Sequence, residues 1–239
     1  MEIVELLQEH DGLGVSELAE EVGRSKGSVH RYLKTLHEHG YVVNRDGVYE
    51  LGLRFLDHGI YVQERREVYQ AAKPKVEALA EDVGERAWCV VEEDDLGVFL
   101  CGAVGANAVK TDARVGYRNA LHCTSGGKAI LAHLPGSRVE QIVDRRGLER
   151  KTDHTISTMD ALRTELETVR ERGYALNLEE SVEGLHAVGA PILDGDGVVR
   201  GSVSVAGASK RLDEERCHGD VGEAVLAAAN EVELELTFA

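Results

Sequence analysis

The stretch SELAEEVGRSKGSVHRYLKTLHEHGYVVNRDGVYEL, residues 16–51, decides the fold of the first part of the chain. Leu18, Ala19 and Val22 recur at helical spacing, and Val29, Leu33 and Leu36 then repeat at i, i+4 and i+7 with Tyr32 beside them. Ser16 and Ser25 are placed to cap these two helices through their hydroxyls, and Gly23 ends the first. Gly40 supplies the stop that needs positive φ. Beyond it, YVVNRDGVYEL (41–51) holds two β-rich runs around Asp46-Gly47, a strong hairpin signal. Upstream, Ile3, Val4, Leu6 and Leu7 share one side of a short helix over residues 1–9, which DGLG (11–14) breaks. Helix, helix, turn, helix, hairpin is the order of a winged helix-turn-helix, expected over residues 1–52.

The same stretch carries a chemical signal. Between residues 22 and 45 the bases are Arg24, Lys26, Arg31, Lys34 and Arg45, and the only acid is Glu38, in a chain of 239 residues with a formal net charge of −16. Local positive charge inside an acidic chain meets phosphates. The polar face of the third helix shows Lys26, Ser28, His30, Arg31, Lys34 and Thr35. Such a face suits the major groove of double-stranded DNA. Arg31 can hold guanine bidentately, with smaller contacts from Ser28 or His30. Ser25 and the helix N-terminus can take a phosphate, and Arg45 on the hairpin suits the minor groove or the backbone. A solvated helix face alone would not reverse the charge in this one place.

The remaining acidity, 43 Asp and Glu against 27 Lys and Arg, reads as adaptation to a salty cytoplasm, where screening shrinks the Debye length to about 3 Å at 1 M salt, with an ordinary acidic cytosolic protein as the competing reading. No run of eighteen apolar residues suggests a membrane span. The start, MEIVELLQEHDG, lacks a basic segment followed by an apolar core. The expectation is a cytoplasmic protein without a membrane partner.

Residues 53–70, with Leu53, Leu56 and Ile60, read as a connector helix, followed by a helix over 71–83 with Pro74 in its first turn. From Glu85 the pattern turns to strands over 88–93 and 97–104 around an Asp94–Gly97 turn, with a third over 109–115. Helices follow over 126–134, 137–144 and from a Thr158 cap to Arg172. Strands are expected at 174–179, 187–193 and 198–206, then a final helix over 213–236. This is an α+β pattern with an antiparallel sheet, filling a domain over 71–239.

Enzyme motifs fail. Gly127-Lys128 is followed by Ala129, and the position five before Gly127 is His122, so no phosphate loop exists. Ser125 lacks the glycine two before it that a nucleophile elbow needs. His122 and Cys123 are adjacent, as are Glu179 and Glu180, and neither pair converges easily. No catalytic residue and no cofactor is expected. Cys89, Cys101, Cys123 and Cys217 read as small apolar groups; a zinc site from Cys101, His122 and Cys123 is the alternative. An enzyme with an accessory DNA-binding domain, or an architectural DNA-binding protein, are the competing classes.

Five segments together resemble the IclR family of transcription regulators: SELAEEVGRSKGSVHRYLKTLHEHGYV (16–42), YELGLRFLDHG (49–59), LHCTSGGKAILAHLP (121–135), LRTELETVRERGYALNLEESVEGLHAVGAPI (162–192) and GSVSVAGASKRL (201–212). The resemblance implies a GAF-like domain that binds a small-molecule effector. It also implies a homodimer or dimer of dimers, with the connector and N-terminal domains in the contacts. In similar proteins the loop before the 126–134 helix contacts the effector. Here backbone N–H groups of Ser125, Gly126 and Gly127 could converge on an anion, aided by the helix dipole. The matching strands offer Asn177, Glu179, Ala187, Ser202 and Ser204 as further inward residues. In family members with a bound acid, the positions matching Asn177 and Ala187 carry an acid and a cysteine. This chain departs at both, so small 2-oxo acids do not carry over, and sugar-derived and aromatic acids both stay open. The implied function is an effector-responsive regulator of catabolic genes on a pseudo-palindromic operator.

Overall fold

The computed structural model describes residues 1–108 and 113–238. The chain divides into two compact units, Met1–Arg65 and Arg66–Ala239.

The first unit runs α1 (Glu2–Glu9), β1 (Leu13–Gly14), α2 (Val15–Glu21), α3 (Lys26–Glu38), β2 (Val42–Arg45), β3 (Val48–Leu51) and α4 (Arg54–Glu64). Ile3, Leu7, Leu18, Ala19, Val29, Leu33, Val42 and Tyr49 form its core. Asp46 and Gly47 both adopt positive φ, 54° and 92°, as a two-residue hairpin turn requires. The Asn44 side chain accepts the Gly47 N–H at 3.0 Å and closes that turn. The three-stranded sheet has the order β1-β3-β2. Its β1 strand is too short to leave a periodic signal. Ser25 caps α3 as expected, accepting the Ser28 N–H at 3.3 Å. Ser16 does not cap α2. That helix starts two residues earlier than a Ser16 cap would place it, and Glu17 reaches back to accept the Gly14 N–H at 2.8 Å.

The helix expected over 53–70 is interrupted. α4 stops at Glu64, and the next helix, α5, starts at Glu67 and runs to Val83. Glu64-Arg65-Arg66-Glu67 carries neither Gly nor Pro, so nothing local announces the break. The two helices differ in what they bury. α4 buries no residue within its unit, whereas α5 buries Val68, Tyr69, Ala71, Ala72, Val76, Leu79 and Ala80. Pro74 consequently lies in the interior of α5 rather than in its first turn, where its missing N–H costs one backbone bond.

The second unit continues with β4 (Arg86–Glu93), β5 (Leu96–Val104), β6 (Arg118–Asn119), a 3-10 turn (Leu121–Cys123), α6 (Ser125–His133), α7 (Gly136–Arg146) and α8 (Met159–Arg172). It ends with β7 (Ala175–Leu178), β8 (Leu185–Leu193), β9 (Val199–Ala208), α9 (Glu214–His218) and α10 (Asp220–Phe238). The single final helix expected over 213–236 is therefore two helices, parted at Gly219. The strand expected over 109–115 falls largely outside the described residues; the short strand that pairs with β5 is β6. The sheet is antiparallel with the order β6-β5-β4-β9-β8-β7.

Strand alternation sorts this sheet into two faces. Ala87, Cys89, Val91, Val188, Ala190, Val203 and Val205 join α5 and α10 in one core. Trp88, Val90 and Ala175 join α6 and α8 in the other. No described helix is long and apolar enough to cross a membrane.

Candidate functional site: a DNA-reading face and an enclosed cavity

On α3 the apolar stripe and the polar face separate cleanly. Val29 and Leu33 are buried, while Lys26, His30, Arg31 and Lys34 are exposed. At the start of the helix, Ser25, Ser28 and Arg31 form a chain of contacts. The two serine hydroxyls lie 3.0 Å apart, and Arg31 Nη2 reaches Ser28 Oγ at 3.5 Å. Arg31 has no carboxylate partner among the described residues, so its guanidinium is free to fork onto a base edge. Lys34 pairs with Glu38 at 3.7 Å, and Arg45 on the hairpin pairs with Glu50 at 3.2 Å. Exposed pairs of this kind are worth about 0–1 kcal/mol, so either base can exchange its carboxylate for a phosphate.

In the second unit, a cavity of about 400 Å³ opens between the sheet and the first turn of α6. Arg86, Trp88 and Val90 line it from β4 and Phe99 from β5, with Tyr117 and Asn119 at its edge. Thr124, Ser125 and Gly126 come from the start of α6. Asn177, Ser181, Val182, Leu185 and Ala187 come from β7, β8 and the loop between them, and Ser204 and Ala206 from β9. A wider depression of about 640 Å³ lies elsewhere, lined by groups such as Arg66, Glu92, Asp194 and Arg200. Its arginines are already spent on Glu93 and Asp194.

The cavity exists because α6 comes very close to the sheet. A Cβ on Gly189 of β8 would sit 2.7 Å from the Gly126 nitrogen, and one on Gly126 would sit 2.8 Å from Ser202 Oγ. Bare backbone on both sides lets the helix end lie directly over β8. Ser125 and Gly126, whose first-turn N–H groups have no intrahelical acceptor, thus line the cavity.

Gly127 does not join them. The Thr124 hydroxyl takes its N–H at 3.1 Å, and its α-carbon packs against Leu121. Ser202 is likewise sealed beneath Gly126, fully buried and without a hydrogen-bond partner for its hydroxyl; Ser204, two residues on, is the one that lines the cavity. Asn177 lines it with its amide already committed, donating to Ser181 Oγ at 2.7 Å and accepting the Glu180 N–H at 2.8 Å. Glu179 turns aside at φ 62°, and its carboxylate lies 3.9 Å from His186 Nε2 rather than at the cavity wall.

Behind the α6 end, the buried ammonium of Lys128 bridges Glu165 at 3.0 Å and Glu180. Burial pushes the Glu180 carboxyl above its ordinary range, against the pull of Lys128. The zinc alternative has no geometric support. Cys101 packs in the α5/α10 core opposite Cys89, whereas His122 and Cys123 sit in the turn before α6, with His122 Nε2 on the Glu149 carbonyl oxygen at 3.1 Å. Among the described residues no three metal-binding side chains converge.

Reading by sequence missed Arg86, Trp88, Phe99 and Tyr117. The available signal was the alternation of β4, which puts Arg86, Trp88 and Val90 on one face; what they face comes from elsewhere in the chain.

A winged helix joined to this six-stranded domain matches two family models, the IclR helix-turn-helix domain over residues 1–46 and the bacterial transcriptional regulator IclR C-terminal domain over residues 60–234. The chain belongs to the IclR family. It is 33% identical to the "Probable HTH-type transcriptional regulator ArcR" of Halobacterium salinarum, covering 100% of this chain and 92% of that one. It is 32% identical to the HTH-type transcriptional regulator BhcR of Paracoccus denitrificans, covering 97% and 84%. The crystal structure of Thermotoga maritima IclR superposes with a TM-score of 0.80 at 28% identity, covering 94% of this chain and 91% of that chain. This IclR-family protein is therefore a DNA-binding transcription regulator with an effector-binding C-terminal domain, and its relatives are regulators rather than enzymes.

Proposed function

We propose that this IclR-family protein controls catabolic genes by binding a pseudo-palindromic operator as a homodimer or dimer of dimers, and that a small carboxylate in the α6 cavity adjusts that binding. Residues 1–52 are the reader, 53–70 the connector and 71–239 the sensor. The carrying observation is the cavity itself, lined on one side by Ser125 and Gly126 at the start of α6. A helix N-terminus favours negative charge there. The effector acts by binding one conformation of the sensor better than another, which shifts the relative pose of two winged helices against paired half-sites.

Two features support the assembly and its setting. Leu53, Leu56, Ile60, Tyr61 and Val62, on or just before α4, are exposed within their own unit, which suits a helix that packs against a second copy. The net charge of −16 suits a salty cytoplasm, and there counterion release yields less affinity, so base contacts from Arg31 and its neighbours weigh more.

The test is selection of duplex DNA from a random pool at several KCl concentrations, then gel shifts of the selected site with a panel of carboxylic acids. The expected result is an enriched inverted repeat whose retention changes with at least one acid. A repeat-free selection, or a shift indifferent to every acid, refutes the reading.

A further inference from the structure

The effector cavity is lined by a cation that has no carboxylate partner among the described residues. Arg86 is the single charged side chain among its described lining residues. One nitrogen, Nη1, donates to the Ala113 carbonyl oxygen at 3.1 Å, while Nε is buried with no hydrogen-bond partner. No carboxylate reaches it among the described residues, in a chain where 43 acidic residues outnumber 27 basic ones. Other arginines packed against this unit show what is missing: Arg138 is held by Asp95 and Glu92, and Arg211 by Glu85. A cation set against an apolar cavity without a carboxylate partner is costly to desolvate, and a ligand anion on the cavity side of Arg86 would offset that cost.

The surroundings of Arg86 narrow the shape of that ligand. Its guanidinium carbon lies 5.6 Å from the centroid of the Trp88 ring. Trp88 meets Phe99 edge-on at 4.8 Å, and Phe99 meets Tyr117 at 5.9 Å. The cation therefore sits at one end of a continuous aromatic wall, with Val90, Val182, Leu185, Ala187 and Ala206 completing an apolar enclosure.

The amide and capping groups that could read a hydroxyl-rich ligand are already committed, which leaves the hydroxyls of Tyr117, Ser125, Ser181 and Ser204. Asn119 Oδ1 takes the Ala120 N–H at 2.9 Å and the Lys151 ammonium at 2.8 Å. The Asn177 amide is used at both ends, and the Thr124 hydroxyl caps α6. No carboxylate among the described lining residues is present to accept hydroxyl protons. A polyhydroxy acid has more hydroxyls than those four can partner, and each one set against the apolar wall carries a desolvation cost.

We propose that the effector is a planar aromatic monocarboxylate, its carboxylate on the Arg86 guanidinium and its ring against Trp88, Phe99 and Tyr117, so that Arg86 determines effector specificity. The assignment rests on the reading of this cavity as the effector site. It moves the anion from the α6 N-terminus, where Gly127 is unavailable, to Arg86, leaving the N–H groups of Ser125 and Gly126 as secondary contacts.

The chain has one tryptophan, Trp88, so its emission reports on this wall directly. The full-length protein is titrated at one KCl concentration with benzoate, with its neutral isostere benzamide, and with gluconate and pyruvate, following Trp88 emission and Tm. Benzoate is expected to quench Trp88 and raise Tm, and to bind about 10- to 100-fold more tightly than benzamide, the range of a charge-assisted pair. In Arg86→Gln the preference for benzoate over benzamide is expected to collapse to near unity while benzamide binding persists, an outcome a merely structural arginine would not produce. If Arg86→Gln does not fold, Arg86→Lys keeps the charge without the fork, and an intermediate preference is expected. Binding of gluconate or pyruvate without benzoate overturns the aromatic class and leaves the cavity as an effector site. An unchanged preference in Arg86→Gln or Arg86→Lys overturns the role of Arg86. Binding of none of the acids overturns this proposal and the effector reading of the cavity together.

Discussion

Replacing Gly189 by Ala tests whether the approach of α6 to β8 builds the cavity. The added methyl would lie 2.7 Å from both the Gly126 nitrogen and the Ser125 carbonyl carbon, and 3.0 Å from the Gly126 α-carbon. Comfortable contacts between such atoms begin near 3.5 Å, so the first turn of α6 must lift by roughly 1 Å; no side chain can yield instead, because all three atoms are backbone. Overpacking of this kind costs about 1–3 kcal/mol. For a unit of this size each kcal/mol lowers Tm by about 2–4 °C, which predicts a fall of about 2–12 °C. Trp88, the chain's one tryptophan, lies in the cavity wall and makes fluorescence-detected melting specific to this unit. The control is Gly136→Ala at the start of α7, where an added Cβ meets nothing within 4 Å; its Tm should equal or slightly exceed that of the parent, as Gly-to-Ala changes in helices do. A Gly189→Ala protein that melts with the Gly136→Ala control would refute the argument, since it would mean the helix end is not held down by that contact.

Three further outcomes are expected. Arg31→Ala removes the free guanidinium on the reading face of α3 and should weaken specific DNA binding by about 1–3 kcal/mol, or about 5- to 150-fold, in a gel shift against the selected site; unchanged affinity assigns the reading to another residue. His122 is held below its ordinary value of 6.5, chiefly by burial. A depressed histidine stabilises the fold above its unfolded pKa and loses that contribution as pH falls through the folded one. Urea unfolding should therefore show the parent losing stability below about pH 6.5 more steeply than His122→Gln, and parallel acid limbs would count against the assignment. With a net charge of −16, self-repulsion should fall as salt screens it, so the unfolding midpoint should climb with KCl; full stability in dilute buffer would sink the salt adaptation.

The sequence by itself determined the elements whose causes are local. Ser25, Gly40 and Asp46-Gly47 act within a few residues of their own positions, through a cap, a positive φ and a two-residue turn, so α3 and its hairpin are legible in the sequence alone. The charge reversal between residues 22 and 45 was equally legible, because it needs no packing to be seen. Tertiary structure decided the rest. The break at Arg65–Arg66 has no local signal, and it falls where a helix burying nothing gives way to one that buries a full apolar stripe. Gly127 lost its place in the site to one hydrogen bond, its N–H donating to the Thr124 hydroxyl, and Ser202 to the backbone that covers it. Arg86, Trp88, Phe99 and Tyr117 became a site because antiparallel pairing of β4 and β5 sets Trp88 and Phe99 on one face. That convergence joins residues from separate strands and loops, and periodicity along one strand carries no information about what lies across from it.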